Sequence, residues 1–382
     1  MEIKRAYKYR FYPTSDQKQN LAQTFGCVRY VYNTLLKIRI DSFYNHGIKI
    51  NYHDTSSILT KMKKDSSTPW LNDVSSVPLQ QGLRHLQVAF TNFWSGRAKY
   101  PRFKKKSNKQ SATYAISAFN WNGKELKLAK QKEPLNIIWS RRFTGKPSTV
   151  TVSKDAAGRY FVSFLVTENV QPLPPNENQV GVDLGIKDVV VTSDGFKSGS
   201  PAYTRKYEAK LAKAQRKLEK KKTGSKNWQK ARLKVARIHA KIADSRRDFI
   251  HKLSTKIVRE NQAIAIETLA VKNMVKNHCL AKSISDSSWG EFTRQLEYKS
   301  KWYGRKLVGI DRWFPSSKRC FECGFINSNL GLSDRNWTCP KCSSKLDRDI
   351  NASRNILAAG HAVSAFGEDV RRSHHGTQSS LN

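Results

Sequence analysis

Four cysteines stand in two C-x2-C pairs, Cys320 with Cys323 and Cys339 with Cys342, and fifteen residues separate the pairs. Each pair can grip one side of a tetrahedral ion, so the spacing points to a four-cysteine zinc ribbon rather than to two disulfides. Four thiolates leave no coordination position for water or substrate, so this zinc is structural and any chemistry lies elsewhere. Three carboxylates are candidates for it: Asp183 in Gly-Val-Asp-Leu-Gly (181–185), Glu267 closing Ala-Ile-Ala-Ile-Glu (263–267), and Asp349 where a helix opens in Asp-Arg-Asp-Ile-Asn-Ala-Ser-Arg-Asn-Ile (347–356). One carboxylate at a strand end is commonly a cap or an ion-pair partner. Three that converge repel one another, and hard divalent cations relieve that repulsion. Two Mg2+ ions held by Asp183, Glu267 and Asp349 would activate a water and stabilise the leaving oxygen of a phosphodiester. Hydrolysis of nucleic acid is the matching reaction.

The elements around these residues must bring them together. With period-two alternation, Val180, Val182 and Leu184 face a core, while Gly181, Asp183 and Gly185 share a face that the glycines leave open to a ligand. Ile264 and Ile266 repeat the pattern, with Ala263, Ala265 and Glu267 on the small-residue face. Helical phase chooses between the two aspartates before the last helix. At about 100° per residue Asp349 falls on the stripe of Ala352, Ile356 and Ala359 that should pack on the sheet, and Asp347 on the opposite side as a surface or capping carboxylate.

Composition narrows the partner. The chain of 382 residues carries 69 Lys and Arg against 30 Asp and Glu, a formal charge of +39. A compact protein so charged repels itself unless a polyanion neutralises it in use, which makes nucleic acid the first candidate. A membrane is disfavoured, because no run approaches the ~18 apolar residues of a spanning helix and no apolar signal core opens the chain. Only Cys27 and Cys279 fall outside the metal spacing, which agrees with a reducing compartment; a cytoplasmic protein is expected.

Along the chain, residues 3–12 alternate basic and aromatic side chains as a strand. Pro13 ends it, and Thr14 with Gln17 forms a capping box for a helix whose stripe is Leu21, Phe25, Val28, Tyr32 and Leu35. A second stripe, Leu79, Leu83, Leu86, Phe90 and Phe93, follows Pro78. Residues 15–97 thus read as a helical block with a loop-rich middle from Asn51 to Ser76. Short β-rich runs at 114–118, 126–128, 135–139, 148–152 and 160–166 suggest a small β-barrel or sandwich that the N-terminal strand completes, with the helical block inserted into it. Residues 171–179 are a linker. Between Arg205 and Arg259 a long helical pair, broken at Thr223-Gly-Ser, holds 20 Lys and Arg against 4 Asp and Glu. Isolated surface helices usually balance their charges, and this pair does not. Arg102, Lys104 and Lys105 in the loop at 102–106, and Lys217, Lys221, Arg246 and Arg247 in the hairpin, are expected on phosphates. A helix near 289–303, a strand at 306–311 and an unstructured tail at 367–382 complete the reading.

These residues resemble a family. Gly-Val-Asp-Leu-Gly, Ile-Glu-Thr-Leu (266–269), the four-cysteine knuckle and the 347–356 segment are similar to TnpB, the transposon-encoded RNA-guided nucleases regarded as ancestral to the type V CRISPR effectors. Tyr-Lys-Tyr-Arg-Phe-Tyr-Pro-Thr (7–14) and Val-Tyr-Asn (31–33) extend the resemblance over most of the chain. Ser353, where Ala is more usual, is a small departure. The resemblance implies an α+β multidomain protein. Its RuvC-like nuclease domain of RNase H fold would span 180–366, with Asp183, Glu267 and Asp349 catalytic and the ribbon inserted at 316–346. A β-barrel wedge domain (1–14 and 98–170) interrupted by a helical recognition domain (15–97) would precede it. It also implies a guide RNA from the transposon end, a target double-stranded DNA beside a short motif, and a monomer in complex with RNA. A DNA-binding repressor or transposition accessory without cleavage, and a DDE-type transposase that joins strands, stay open on the residues alone.

Overall fold

The computed structural model describes residues 1–331 and 333–365, so the expected tail at 367–382 lies outside the described residues. The chain forms two compact units, one of residues 2–169 and one from Val170 onward.

In the first unit β1 (Glu2–Phe11) stops before Pro13, which has no N–H to donate. Helix α1 (Ser15–His46) then starts from a capping box: Thr14 Oγ1 accepts from the Gln17 N–H at 3.3 Å and Gln17 Oε1 accepts from the Thr14 N–H at 3.1 Å. The segment expected to be loop instead contains α2 (Tyr52–Lys64). Its start is a capping box in other residue types, Asn51 accepting from Asp54 and Asp54 from Asn51, and Thr55 and Leu59 are buried one turn apart. Helix α3 (Ser76–Trp94) buries Leu79, Leu83, Leu86 and Phe90 but leaves Phe93 exposed at its end. Strands β2 (Gln110–Ala115), β3 (Phe119–Trp121), β4 (Leu126–Leu128), β5 (Ile137–Ile138), β6 (Pro147–Lys154) and β7 (Tyr160–Asn169) follow. The main sheet has the antiparallel order β2-β6-β7-β1-β5, and β1 pairs with β7 along its whole length. The N-terminal strand does complete this sheet. Its hydrogen bonding leaves edges at β2 and β5, so it is an open five-stranded sheet where a barrel or sandwich was expected. Leu21, Phe25 and Leu83 from the helices share one core with Tyr7, Phe11, Val150 and Phe164 from the sheet.

The second unit contains β8 (Gln179–Asp183), β9 (Val191–Thr192), α4 (Tyr203–Glu219), α5 (Lys226–Glu260), β10 (Ala263–Glu267), α6 (Val271–Met274), α7 (Ala281–Ser287), α8 (Trp289–Tyr303), β11 (Lys306–Ile310), β12 (Asn336–Thr338), β13 (Lys345–Asp347) and α9 (Arg348–Ala365). Its sheet runs β11-β10-β8-β9, with β8, β10 and β11 mutually parallel and β9 antiparallel. Residues 171–178 are extended chain tied to this unit, the Leu173 N–H reaching the Tyr303 carbonyl at 3.1 Å and Arg305 the Pro174 carbonyl at 3.0 Å. Val180, Val182, Ile264 and Ile266 pack one face against Ile250, Leu253 and Ile257 of α5 and Phe292 and Leu296 of α8. No helix among the described residues is long and apolar enough to cross a membrane.

The opposite face corrects one expectation. It is not open to a ligand, because α9 lies on it. A Cβ at Gly181 would stand 1.9 Å from the Ser353 carbonyl oxygen, and one at Gly360 would stand 2.5 Å from the Ala265 Cβ. The small residues on the two strands therefore admit a helix backbone, not a substrate. Gly185 likewise makes room for the Asp188 carbonyl in the following turn, 2.6 Å from where its Cβ would be.

Candidate active site and zinc ribbon

Packing of α9 on small residues sets where its first carboxylate falls. Ser353 meets β8 at Gly181, and Asp349 precedes Ser353 by four residues, about 6 Å of helix. Asp183 follows Gly181 by two residues, about 6.6 Å of strand. The charge of Asp349 acts on Asp183, so both steps lead to the same end of the sheet. Glu267 arrives at the same level, one step past the paired Ile266 and Val182. The site thus lies at the carboxyl ends of the parallel strands, where ligands bind in open α/β sheets.

The electrostatics of Asp183 register both of the other carboxylates. Burial, then Glu267 and Asp349, push the Asp183 carboxyl well above its usual range, against the opposing pull of Arg348 and Arg335. Burial pushes Glu267 up to about 7, although the Leu184 N–H donates to its Oε1 at 2.9 Å. Arg335, just before β12, donates to both Asp349 oxygens at 3.2 and 3.3 Å. Three half-buried carboxylates gathered at one end of the sheet are a donor set suited to hard cations. Among the described residues, however, the only group of three or more His, Cys, Asp or Glu with ligand atoms within 4.8 Å of one another is the four cysteines.

Asp347 plays a different part. Its Oδ1 accepts from the Asp349 and Ile350 N–H groups, capping α9, and its Oδ2 pairs with Lys197 at 2.6 Å.

At the ribbon, Cys320 and Cys342 sulfurs are 3.7 Å apart and those of Cys323 and Cys339 are 3.6 Å apart. A tetrahedral ion with Zn–S bonds of about 2.3 Å has sulfur–sulfur edges of ~3.8 Å, so the thiols fit zinc. The two knuckles are built alike. The Gly324 N–H donates to the Cys320 carbonyl and the Ser343 N–H to the Cys339 carbonyl, and both Gly324 and Ser343 have positive φ. The ribbon is fastened to α9 by two asparagines. Asn351 bonds the Arg319 carbonyl and the Phe321 N–H, and Asn355 bonds the carbonyls of Ser316 and Arg319, so the backbone on both sides of Cys320 hangs from the helix that carries Asp349. Sequence reasoning missed Asn351, Asn355 and Arg335. The i, i+4 spacing of the asparagines was the available signal, and Arg335 had none.

The basic residues divide. Lys217 and Lys221, with Lys210, Lys213, Lys230 and Lys234, line a groove of about 480 Å³ between α4 and α5 with no acidic residue in its lining. Arg246 is turned inward onto Asp286 and Thr204, pinning α5 to the start of α4, whereas Arg247 is exposed beside Asp244. In the first unit Arg102 and Lys105 are exposed, but the Lys104 ammonium lies 4.0 Å over the Tyr32 ring and its backbone is clasped by Asn33.

The fold is similar to that of Cas12f1: the structure of a Cas12f1–sgRNA–target DNA complex superposes with a TM-score of 0.56 at 13% identity, covering 93% of this chain and 99% of that one. Residues 161–278 match a family described as "Probable transposase", residues 289–356 a "Cas12f1-like, TNB domain", and residues 1–48 a "Helix-turn-helix domain", although this last stretch folds here as a strand and one long helix. A protein of Streptomyces pristinaespiralis named "Putative RNA-guided DNA endonuclease" is 52% identical over 97% of this chain and 92% of its own length. InsQ of Escherichia coli K12, given the same description, is 33% identical over 97% and 96%. The chain belongs to their family, the TnpB-type proteins of transposons.

Proposed function

We propose that this chain is an RNA-guided DNA endonuclease of the RuvC-like class, with Asp183, Glu267 and Asp349 as its catalytic carboxylates. The observation that carries the reading is the convergence of these three half-buried groups at the carboxyl ends of β8 and β10 and the head of α9, where burial, then Glu267 and Asp349, raise the proton affinity of Asp183. When bound there, two Mg2+ ions supply an activated water and stabilisation of the leaving oxygen. The protein's own part is to hold the carboxylates at fixed spacing. The Leu184 N–H orients Glu267, the packing of α9 on Gly181 sets Asp349, and Asp347 holds the helix end in register. Cys320, Cys323, Cys339 and Cys342 would hold zinc, and the ribbon so closed would keep the chain around Arg319 and Phe321 seated on α9.

In this reading residues 180–366 are the nuclease domain of RNase H fold, residues 1–14 and 98–170 a wedge domain, and residues 15–97 a recognition domain. The partners are a guide RNA from the transposon end and a target double-stranded DNA beside a short motif, engaged by a monomer. The excess of positive charge supports a long polyanionic ligand. The test is plasmid cleavage by the guide-loaded chain in Mg2+. Asp349→Ala should abolish it while guide and target binding survive, and Asp347→Ala should stay within about tenfold, the kinetic equivalent of ~1.4 kcal/mol. A chain that binds target without metal-dependent cutting would instead be the accessory or repressor.

A further inference from the structure

Trp313 lies in the turn that leaves the carboxyl end of β11, and with 79% of its surface exposed it is the most exposed large hydrophobic side chain among the described residues. Single exposed apolar residues are ordinary. This one is held out by its neighbours. Ile310 before it is buried with Ala265 and Ile356, and Phe314 after it packs on the same cluster. The intervening turn is closed by the Trp313 N–H donating to Asp311 Oδ1 at 2.7 Å and the Phe314 N–H to the Asp311 carbonyl at 3.3 Å. Anchored on both sides, the backbone that carries the indole is held while the ring faces water.

Its position and its backing suggest a role. Ile310 pairs with Glu267, so their Cα atoms are about 5 Å apart, and three further residues reach at most ~11 Å. Trp313 therefore stands at the same end of the sheet as the carboxylates, its Cα within about 16 Å of that of Glu267. The Arg312 guanidinium lies 4.7 Å from its ring centre, stacked on one face and able to meet a phosphate, which leaves the other face of the indole for a flat partner. An aromatic ring with a cation behind it is how proteins hold unpaired bases, because every base has a π-face and a duplex does not expose it.

We propose that Trp313, backed by Arg312, stacks on a base of single-stranded DNA in the strand led to Asp183, Glu267 and Asp349, and so positions the phosphodiester to be cut. This rests on the proposed endonuclease function. The test uses the full chain loaded with guide and a set of target DNAs with one abasic site each, stepped along both strands across the cut. Trp313→Ala should lower kcat/KM about tenfold and Trp313→Phe less than about threefold. At one position the missing base should cost the wild type the same factor and cost Trp313→Ala nothing more. Additive losses at every position, or full activity of Trp313→Ala, overturn the proposal. Photocrosslinking of 5-iododeoxyuridine at the same positions in EDTA reads the contact without cleavage. No adduct at Trp313 from any position overturns the stacking even if guided cleavage stands, whereas an adduct in a chain that never cleaves sustains the stacking and removes the endonuclease reading.

Discussion

Asp183 and Glu267 sit together in a partly buried place, and burial raises the proton affinity of both, with Glu267 adding to the rise at Asp183. Glu267 is raised to about 7 from an ordinary carboxylate value. The fold therefore holds a proton that the unfolded chain would release. That contribution to stability is complete below about pH 4.5 and is lost as pH rises through about 7. Above pH 7 the ionised carboxylates repel most, so a cation has most to offer there. The gain in Tm on adding Mg2+ should be clearly larger at pH 8 than at pH 5, and should be small at both for Glu267→Gln. An equal gain at pH 5 and pH 8 would mean that Mg2+ binds elsewhere.

Among the elements, α9 links the carboxylates to the four-cysteine ribbon. Its first turn carries Asp349, its middle packs on Gly181 and Ala265, and its Asn351 and Asn355 hold the backbone around Cys320. Structural zinc supplies on the order of 10 kcal/mol of folding free energy in isolated finger peptides, so losing it should free the ribbon from the helix. Cys339→Ser is expected to lose zinc and lower cleavage, with metal content and plasmid cutting measured on the same preparation. Asn355→Ala should keep its zinc yet cut more slowly, because the link fails while the knuckle survives. A zinc-free Cys339→Ser protein with full activity would show that the ribbon does not support the site. The hairpin of α4 and α5 is a second such element. Ile242 is the first buried residue of α5, so the earlier part of α5 and all of α4 have no buried face.

For the whole molecule the dominant fact is charge. The groove between α4 and α5 gathers six lysines with no carboxylate, an arrangement that repels itself unless a phosphate backbone lies in it. Changing Lys217 and Lys221 to Gln should weaken binding of guide RNA and flatten log affinity against log salt by about one unit per lost phosphate contact. Arg246 is a poor probe of this surface, since reversing its charge would break the pair with Asp286 and unseat α4 before any nucleic acid is added. An unchanged salt slope in the Lys217 and Lys221 variant would make the groove a solvated face.

Much of this was legible from residues alone, where local physics decides. The C-x2-C spacing marks the four cysteines that come together, the Thr14–Gln17 box starts its own helix, and alternation along β8 and β10 separates the two faces of the sheet without reference to anything distant. Helical phase similarly put Asp349 on the stripe of Ala352 and Ile356, which are buried, and left Asp347 for the cap. The open questions were those in which a side chain's partner lies far along the chain. Gly181 looks the same whether it clears space for a substrate or for a helix, and only the arrival of Ser353, 172 positions later, decides that it is a helix. Arg246 and Lys104 looked like phosphate ligands because a cation's use depends on what faces it, and Asp286 and the Tyr32 ring already did. The helix α2 was missed because Asn51 and Asp54 can cap a helix or make a turn, and burial of Leu59 in the common core selects the helix. Period and spacing are properties of a few consecutive residues; occupancy of a face is a property of the folded chain.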